Sequence, residues 1–340
     1  MARKKYGAID IAKYISALLV VCIHTYPFYE VSPTFNMYWI QTLCRMAVPF
    51  FFVTSGFFFF RKWEKDNEEA NWTNLKKYES RLLKLYLIWT VIYLPYTIWD
   101  YTRAQFKWYH IFAYLRDLIL NGSYYHLWFF PALMLGMAIV YGLYRRYGMK
   151  HTLFISLILY LIGYMINVYT PLWESGRWPY VTFFFGFFTK VFTTSRNGIF
   201  FGPMFISIGL LLSRTRRLPH RVSVIGWAIS FVLLIIEVSL YDRAGLLRDL
   251  TSMDLMLVPC VYFLVNALLT DDRPYKARYL NMRHESLLIY TSHILFAKIL
   301  LAVMPHAHLV VYFLTLGLAQ CFATAVLTLK DRYPVLENLL

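Results

Sequence analysis

The chain consists of long apolar runs separated by short polar breaks. A helix that crosses the hydrocarbon core of a bilayer needs about 20 mainly apolar residues. Ten runs approach that length, at residues 9–29, 38–60, 82–99, 126–144, 153–169, 198–212, 222–240, 254–269, 287–303 and 309–329. The pattern predicts an all-α protein, a polytopic membrane helix bundle of about ten transmembrane helices.

The segments between these runs are short. Residues 181–192 are also apolar and are predicted to be a re-entrant or interfacial piece, whereas residues 61–84 form the longest polar segment and are predicted to be a loop. Because no polar stretch is long enough for a soluble domain, residues 1–340 are predicted to form a single integral-membrane domain. The first run is longer than the apolar region of a signal peptide, so we expect it to remain as the first span.

Composition agrees with a membrane protein. Hydrophobic residues make up 59% of the chain and charged residues 16%, and the mean hydropathy is +0.47. A soluble domain carries about 25% charged residues, so an ordinary soluble protein is excluded. The 28 Phe, 28 Tyr and 10 Trp residues suit the two membrane–water interfaces, where aromatic side chains are enriched.

The basic residues predict the orientation. With the N-terminus inside, the predicted inside loops contain 23 Lys and Arg and the outside loops 8. Positive residues concentrate in cytoplasmic loops, so both termini are predicted to be cytoplasmic. This distribution also accounts for the net charge of +15. No basic-aromatic module accompanies it, so no nucleic-acid partner is predicted.

The four cysteines indicate no metal or disulfide site. They lie in apolar segments without Cys-x-x-Cys spacing, at Cys22, Cys44, Cys260 and Cys321. Small buried hydrophobic residues are the simpler interpretation. We therefore predict no metal and no permanently bound cofactor.

Two ionisable residues of the first span, Lys13 and His24, are predicted to share one helix face. Their separation of 11 residues is three helical turns plus about 20°, or about 16 Å along the axis. An ionisable side chain costs about 2.5–3.5 kcal/mol at the centre of a span, and therefore indicates a function. His24 could act as base and then as acid near neutral pH. The alternatives are a hydrogen-bonded packing role for His24 and snorkelling for Lys13.

Further polar residues are expected at the depth of His24, in the outer half of the bundle. They are His126, Arg196, Glu237 and Asp254. An interfacial role is the alternative for His126, and an aromatic belt explains Trp128. Tyr290 and His293 lie three residues apart, on one face of the ninth span.

Two further features belong to the second and third spans. Ser55-Gly56 is predicted to let another helix backbone approach closely, whereas a nucleophilic Ser55 would need an adjacent base. Arg81 and Lys84 open the third span and, with Lys13, are predicted to form a basic patch for phosphate groups. Ordinary inside positive residues are the alternative.

Taken in order, these motifs resemble the acyltransferase-3 family of membrane-bound acyltransferases. The family opens with an Asp, a basic residue and a His on the first helix, here Asp10, Lys13 and His24. The later motifs are Arg45 to Phe57, the pair Arg81 and Lys84, His126 to Ala132, and Tyr290 with His293. The resemblance covers essentially the whole chain. Lys13 stands where the family commonly has Arg, and Lys lacks the bidentate fork for phosphate.

Within the family, two segments are most similar to the membrane domain of the membrane-bound serine racemases of vancomycin resistance. They are Tyr125 to Trp128 and Ser195 to Phe201. In those proteins the domain precedes a pyridoxal-phosphate racemase. No such soluble domain is expected here, so the resemblance does not imply racemase activity.

The resemblance implies an enzyme that moves an acyl group, commonly acetyl, from cytoplasmic acyl-CoA to a hydroxyl of a cell-envelope sugar or glycolipid. It implies a multi-pass protein of the bacterial cytoplasmic membrane with acyl-CoA as co-substrate, and His24 would be catalytic. The donor would contact Lys13, Arg45, Arg81 and Lys84. The acceptor or its pathway would involve Asp10, Ser55, His126, Trp128, Arg196, Asn197, Glu237, Asp254, Tyr290 and His293. The oligomeric state stays open, with a homodimer as one option.

Two other functions are consistent with the same residues. A membrane carrier for a small polar solute, such as a serine-like amino acid, would use the polar residues as a pathway and move no acyl group. A catalytically inactive membrane anchor or partner-binding protein is the third interpretation.

Overall fold

The computed structural model describes residues 5–104, 107–249 and 251–340, and over these ranges it contains helices and no strand. The α-helices are α1 (Gly7–Thr25), α2 (Pro33–Gln41), α3 (Ala47–Phe60), α4 (Glu68–Arg103), α5 (Tyr109–Leu120), α6 (Phe129–Val168), α7 (Thr170–Glu174), α8 (Pro179–Phe192), α9 (Gly202–Arg214), α10 (His220–Arg243), α11 (Leu257–Leu269), α12 (Arg278–Val303) and α13 (His308–Leu329). Short 3-10 helices occupy Cys44–Met46 and Pro334–Leu339.

The predicted all-α membrane bundle is confirmed. Among the described residues, seven segments are long and apolar enough to cross a membrane, and α9 and α11 are shorter apolar helices. Each of the ten predicted runs coincides with helical structure. The seven segments are fewer than the ten predicted runs because α6 joins the fourth and fifth runs, and because α9 and α11 are shorter than a full span.

The 40 residues of α6 are two helices that meet at Gly148. This residue has φ 72° and ψ 178°, which lie outside the helical region. Only glycine adopts such a conformation at low cost, since a Cβ would clash with the backbone. The chain therefore bends between the two predicted runs without an intervening loop.

The prediction of a loop over residues 61–84 is wrong for most of its length, because α4 begins at Glu68. The Asn67 side chain accepts a hydrogen bond from the Ala70 backbone N–H at 3.1 Å and so caps the helix. Glu68 and Glu69 follow in the first turn, where negative charge is favourable beside the helix dipole. Hydropathy alone misses this segment because its residues favour a helix without being apolar.

One compact unit, here the first unit, combines the described residues of Met1–Thr54 with Thr215–Arg243 and Asp254–Leu340. Within it, α12 packs against both α1 and α13, and α10 packs against α11. Small and branched side chains from α1, α12 and α13 form a shared core. Its buried members are Ala17, Val21, Leu288, Ile289, Ala319, Ala323 and Val326. The alanines allow close helix approach, and this packing sets α1 beside α12.

The second unit comprises Ser55–Arg214 and Ala244–Met253. In this unit α6 packs against α9 and α4. Gly56 lies against α9, where an added Cβ would be only 2.5 Å from the carbonyl oxygen of Ile206. The predicted close backbone approach at Ser55-Gly56 is therefore confirmed.

Candidate functional site

His24 and His293 lie side by side in the first unit. The two imidazole rings have centroids 5.3 Å apart and are inclined by 35°. His24 lies in the last turn of α1 and is partly buried, whereas His293 is fully buried in the middle of α12. The sequence places both histidines in apolar segments, and the packing of α1 against α12 brings them together.

The α12 backbone determines which nitrogen of His293 carries hydrogen. Nδ1 lies 2.7 Å from the carbonyl oxygen of Tyr290 and 3.2 Å from that of Ile289. Carbonyl oxygens only accept, so Nδ1 must be the donor. In the neutral ring, Nε2 therefore holds the lone pair. The Tyr290 ring lies 6.2 Å from the His293 ring and completes this group, the histidine cluster.

Lys13 lies on the same helix as His24. Because α1 is unbroken from Gly7 to Thr25, the 11-residue separation corresponds to about 16 Å along the axis. Both side chains are half-buried. The helix therefore keeps the basic residue and the histidine at two distinct depths, as the spacing predicts.

Asp10, at the start of α1, is a buried carboxylate that forms an ion pair with the partly exposed Arg283. Its two carboxylate oxygens accept hydrogen bonds from Arg283 Nε and an Arg283 terminal nitrogen, each at 2.8 Å, and Tyr275 donates a third at 3.2 Å. The Asp10 side chain is 1% exposed. A bidentate guanidinium–carboxylate pair of this kind is strong and directional. Asp10 therefore links α1 to α12 near the end of α1 that is opposite His24.

Arg45 is grouped with two acids of the first unit, the buried Asp254 and the partly buried Glu237. Its Nε donates to Gln41 Oε1 at 2.8 Å, and the charges of Glu237 and Arg45 both act on the buried Asp254 carboxyl. The structure thus groups a residue of the predicted donor set with Glu237 and Asp254, two residues of the predicted acceptor set. We call Gln41, Arg45, Glu237 and Asp254 the acidic-basic cluster.

Glu237 also has a local structural task. Its carboxylate accepts hydrogen bonds from the backbone N–H groups of Leu255 and Met256, both at 2.8 Å, and from the Tyr241 hydroxyl. These backbone groups lie just before α11, where helix N–H groups have no partner within the helix. Glu237 therefore anchors the start of α11 to α10.

In the second unit, the structure places Arg196 over Trp128. The guanidinium carbon is 4.7 Å from the indole centroid, a cation–π geometry. Trp128 also contacts Phe201, with ring centroids 5.7 Å apart. His126 is buried in the preceding turn, 4.7 Å from the ring of Tyr93. The predicted residues of the fourth and sixth spans thus meet around Trp128.

Neighbouring polar side chains shape these loops. Asn197 Oδ1 accepts from the backbone N–H groups of Ile199 and Phe200, at 2.8 and 3.1 Å, which forms a turn before α9. The Tyr124 hydroxyl donates to Asp100 at 3.2 Å. Burial, with the Asp100 charge, raises the pKa of Tyr124, so the phenol remains a donor.

The remaining predicted residues are also in the second unit. Arg81 and Lys84 are exposed on α4, one turn apart, and Ser55 lies on α3 beside the close packing at Gly56. Three residues of these clusters are not among the residues predicted from the sequence. They are Arg283 and Tyr275, which bind Asp10, and Gln41, which binds Arg45. Gln41 lies four residues before Arg45, a spacing that signals a helical side-chain pair.

A family model described as an acyltransferase domain matches residues 6–329. The chain belongs to the acyltransferase-3 family. Membership of the acyltransferase-3 family, together with the apolar helices, supports a multi-pass membrane acyltransferase. The match extends from just before α1 to the end of α13, so it includes all the clusters described above.

Curated relatives carry racemase names. The chain is 29% identical to an amino-acid racemase of Enterococcus faecalis over 267 residues, which are 78% of this chain and 36% of the relative. It is 30% identical to a serine/alanine racemase of Enterococcus gallinarum over 261 residues, 76% of this chain and 36% of the relative. The chain thus spans about a third of the length of these relatives. No solved structure matches it.

Proposed function

We propose that this acyltransferase-3 protein is an O-acyltransferase that uses acyl-CoA, with acetyl as the expected acyl group. The acceptor would be a hydroxyl of a cell-envelope sugar or glycolipid, and His24 would be the catalytic base. The observation that carries the proposal is the pair of adjacent imidazoles, His24 and His293, in a chain that belongs to an acyltransferase family.

The proposed reaction needs one group that takes up a proton and then returns it. His24 accepts the proton of the acceptor hydroxyl while its oxygen attacks the thioester carbonyl carbon. The carbon–sulfur bond breaks when the tetrahedral intermediate collapses, and the CoA thiolate takes the proton back from the imidazolium. Imidazole suits both steps because its ordinary pKa is close to neutral pH.

Each unit, taken by itself, offers candidate substrate contacts. In the second unit, Arg81 and Lys84 would bind donor phosphates through their charged side chains, and in the first unit Lys13 is a candidate for a phosphate contact. We assign Arg45 to the acceptor side with Asp254 and Glu237, because it belongs to the acidic-basic cluster. Arg196, stacked on Trp128, is a second candidate contact for the acceptor.

The test is acyl transfer by the purified full-length chain in lipid nanodiscs. Radiolabelled acetyl-CoA is supplied with membranes that contain envelope glycolipids, and labelled product and free CoA are measured. His24→Ala should lower the rate at least about a hundredfold, because general acid–base catalysis contributes about 10²–10⁴.

His151→Ala is the matched control. It removes another helical histidine, exposed on α6, and should keep the wild-type rate. Transfer that survives in His24→Ala would disprove the role of His24. A wild-type protein that releases no CoA with any acceptor fraction would disprove the acyltransferase proposal itself.

A carrier for a zwitterion is the second candidate. The acidic-basic cluster contains the guanidinium of Arg45 and the carboxyl group of Asp254, which could match the carboxylate and ammonium groups of an amino acid, and the curated relatives are named as amino-acid racemases. Uptake of labelled serine into proteoliposomes that is lost in Arg45→Ala, without CoA release, would favour the carrier over the enzyme.

A further inference from the structure

A groove lies between α4 and the first half of α6, within the second unit. It has a volume of about 830 Å³, which suits a small-molecule site of roughly 300–1,000 Å³. It lies at the helix ends that the charge distribution predicts to be cytoplasmic. Its chemically distinctive lining residues are Trp72, Lys76, Glu79, Tyr141, Arg145 and Arg146.

Three cations line this groove against one carboxylate. Arg145 forms an ion pair with Glu68, whereas Lys76 and Arg146 form no ion pair in the part of the chain that the structure describes. Their side chains are exposed. A phosphate group would satisfy both cations, because ammonium and guanidinium groups form charge-assisted hydrogen bonds to its oxygens.

The groove also offers an aromatic surface. The Trp72 indole is 48% exposed, and its centroid lies 6.1 Å from that of the buried Tyr141 ring. Lys76 Nζ lies 6.0 Å from the Trp72 centroid. An exposed indole that is backed by a second ring can stack a planar base next to the cations.

Glu79 decides what kind of anion fits. Its Oε1 is shielded from solvent and has no hydrogen-bond partner among the described residues. This oxygen needs a hydrogen-bond donor, which a bare phosphate lacks, whereas a ligand that also carries amino or hydroxyl groups would donate to it. The neighbouring Ser80 hydroxyl lines the same wall.

We propose that this groove binds the nucleotide end of a phosphorylated adenine nucleotide. The phosphate would contact Lys76 and Arg146, the base would stack on Trp72, and an amino or ribose hydroxyl group would donate to Glu79. In the acyltransferase proposed above, on which this assignment of the nucleotide rests, it would be the adenosine bisphosphate part of acyl-CoA.

The position of the groove along α4 links it to the predicted donor residues. Lys76, Ser80 and Lys84 follow one another at four-residue spacing on α4. Residues four apart lie one above the other on a helix, so this row extends for about 12 Å. The side chains of this row would bind successive phosphate groups of the ligand, from the groove to Lys84.

The experiment is calorimetric titration of adenosine 3′,5′-bisphosphate into the full-length protein in phosphatidylcholine nanodiscs. Lys76→Ala and Arg146→Ala should each raise the Kd at least tenfold. Lys77→Ala, a change of the adjacent exposed cation that does not line the groove, should leave the Kd unchanged. Trp72→Ala should weaken binding, and Trp72→Phe should recover most of it.

Two results would overturn the nucleotide site. One is equal bisphosphate affinity in the wild type, Lys76→Ala and Arg146→Ala. The other is that the wild type does not bind the bisphosphate, and that phosphatidylglycerol stabilises the wild type but not Lys76→Ala. That outcome assigns the groove to a lipid headgroup, which shares the phosphate but has no base for Trp72.

The transfer assay separates this proposal from the proposed function. In the first case, Lys76→Ala and Arg146→Ala transfer acetyl groups at the wild-type rate and with an unchanged KM for acetyl-CoA. That result would overturn the nucleotide site in the groove but not the acyltransferase proposal. In the second case, the wild type binds the bisphosphate, both variants lose this binding, and the wild type transfers no acetyl group. That result would support the nucleotide site in the groove and disprove the acyltransferase proposal.

Discussion

At the scale of single residues, the histidine cluster shows how a helix backbone can select one form of a side chain. The carbonyl oxygens of Tyr290 and Ile289 hold His293 Nδ1 as a donor, so Nε2 of the neutral ring can only accept. An acceptor beside His24 can orient the His24 ring and stabilise its positive charge after proton uptake, as a carboxylate does in other histidine-based sites. Under the proposed function, His293 is a positioning residue.

His293→Ala should therefore lower kcat for acetyl transfer by about tenfold to a hundredfold, because a misplaced base costs up to about 10² in rate. The KM for acetyl-CoA should change less than twofold, and the acid limb of the pH–rate profile should move. Steady-state kinetics over a range of pH measure all three. Ser292→Ala, a fully buried neighbour on α12, should have wild-type kinetics, and a purely structural His293 would leave the pH profile in place.

At the scale of helices, the two halves of α6 depend on one backbone conformation. Gly148 has a positive φ with an extended ψ, a region that is essentially restricted to glycine. No heavy atom lies within 4 Å of a Cβ at this position, so any cost of a side chain comes from the backbone and not from packing.

Gly148→Ala should destabilise the protein by about 1–3 kcal/mol, the usual cost of such a backbone conformation in a residue with a Cβ. Gly317→Ala in α13 is the control, since it also has open space around it but lies within a regular helix. There alanine should stabilise by up to about 1 kcal/mol. Thermal melting in detergent compares the two variants, and equal melting temperatures would contradict the strain at Gly148.

Helices were predictable from the sequence where hydropathy and chain length agree, because a span must satisfy its backbone hydrogen bonds internally. The start of α4 could not be predicted from hydropathy, because Asn67 and the acidic first turn favour a helix without making it apolar. Side-chain partnerships were also beyond prediction. His24 and His293 were each singled out, but nothing in a single sequence pairs residues so distant, and Arg283 looked like an ordinary positive-inside residue until its bond to Asp10 was seen.

At the scale of the whole molecule, the charge distribution makes a prediction about orientation. The loop between α1 and α2 is expected outside, and the segment between α3 and α4 inside, because basic residues concentrate in the second of these. Val31 is 75% exposed in the first loop, and Lys65 is exposed in the second. Both positions are suitable for labelling from solvent.

Single cysteines introduced in a Cys321→Ser background test this orientation, since Cys321 is exposed and the other three cysteines are buried. In intact cells, a membrane-impermeant maleimide should label Val31→Cys. Lys65→Cys should be labelled only after the cells are permeabilised. The opposite pattern would reverse the predicted orientation and move the groove to the outer side.

The length of α4 has a consequence for access to the groove. Its 36 residues make a rod of about 54 Å, whereas the hydrocarbon core of a bilayer is about 30 Å thick. Even at a tilt of about 40°, the upper end of the observed range, the rod would span about 41 Å. At least one end must therefore extend beyond the hydrocarbon core, and the polar residues before position 82 identify the end that carries Trp72 and Lys76. A soluble ligand reaches that end without crossing any lipid.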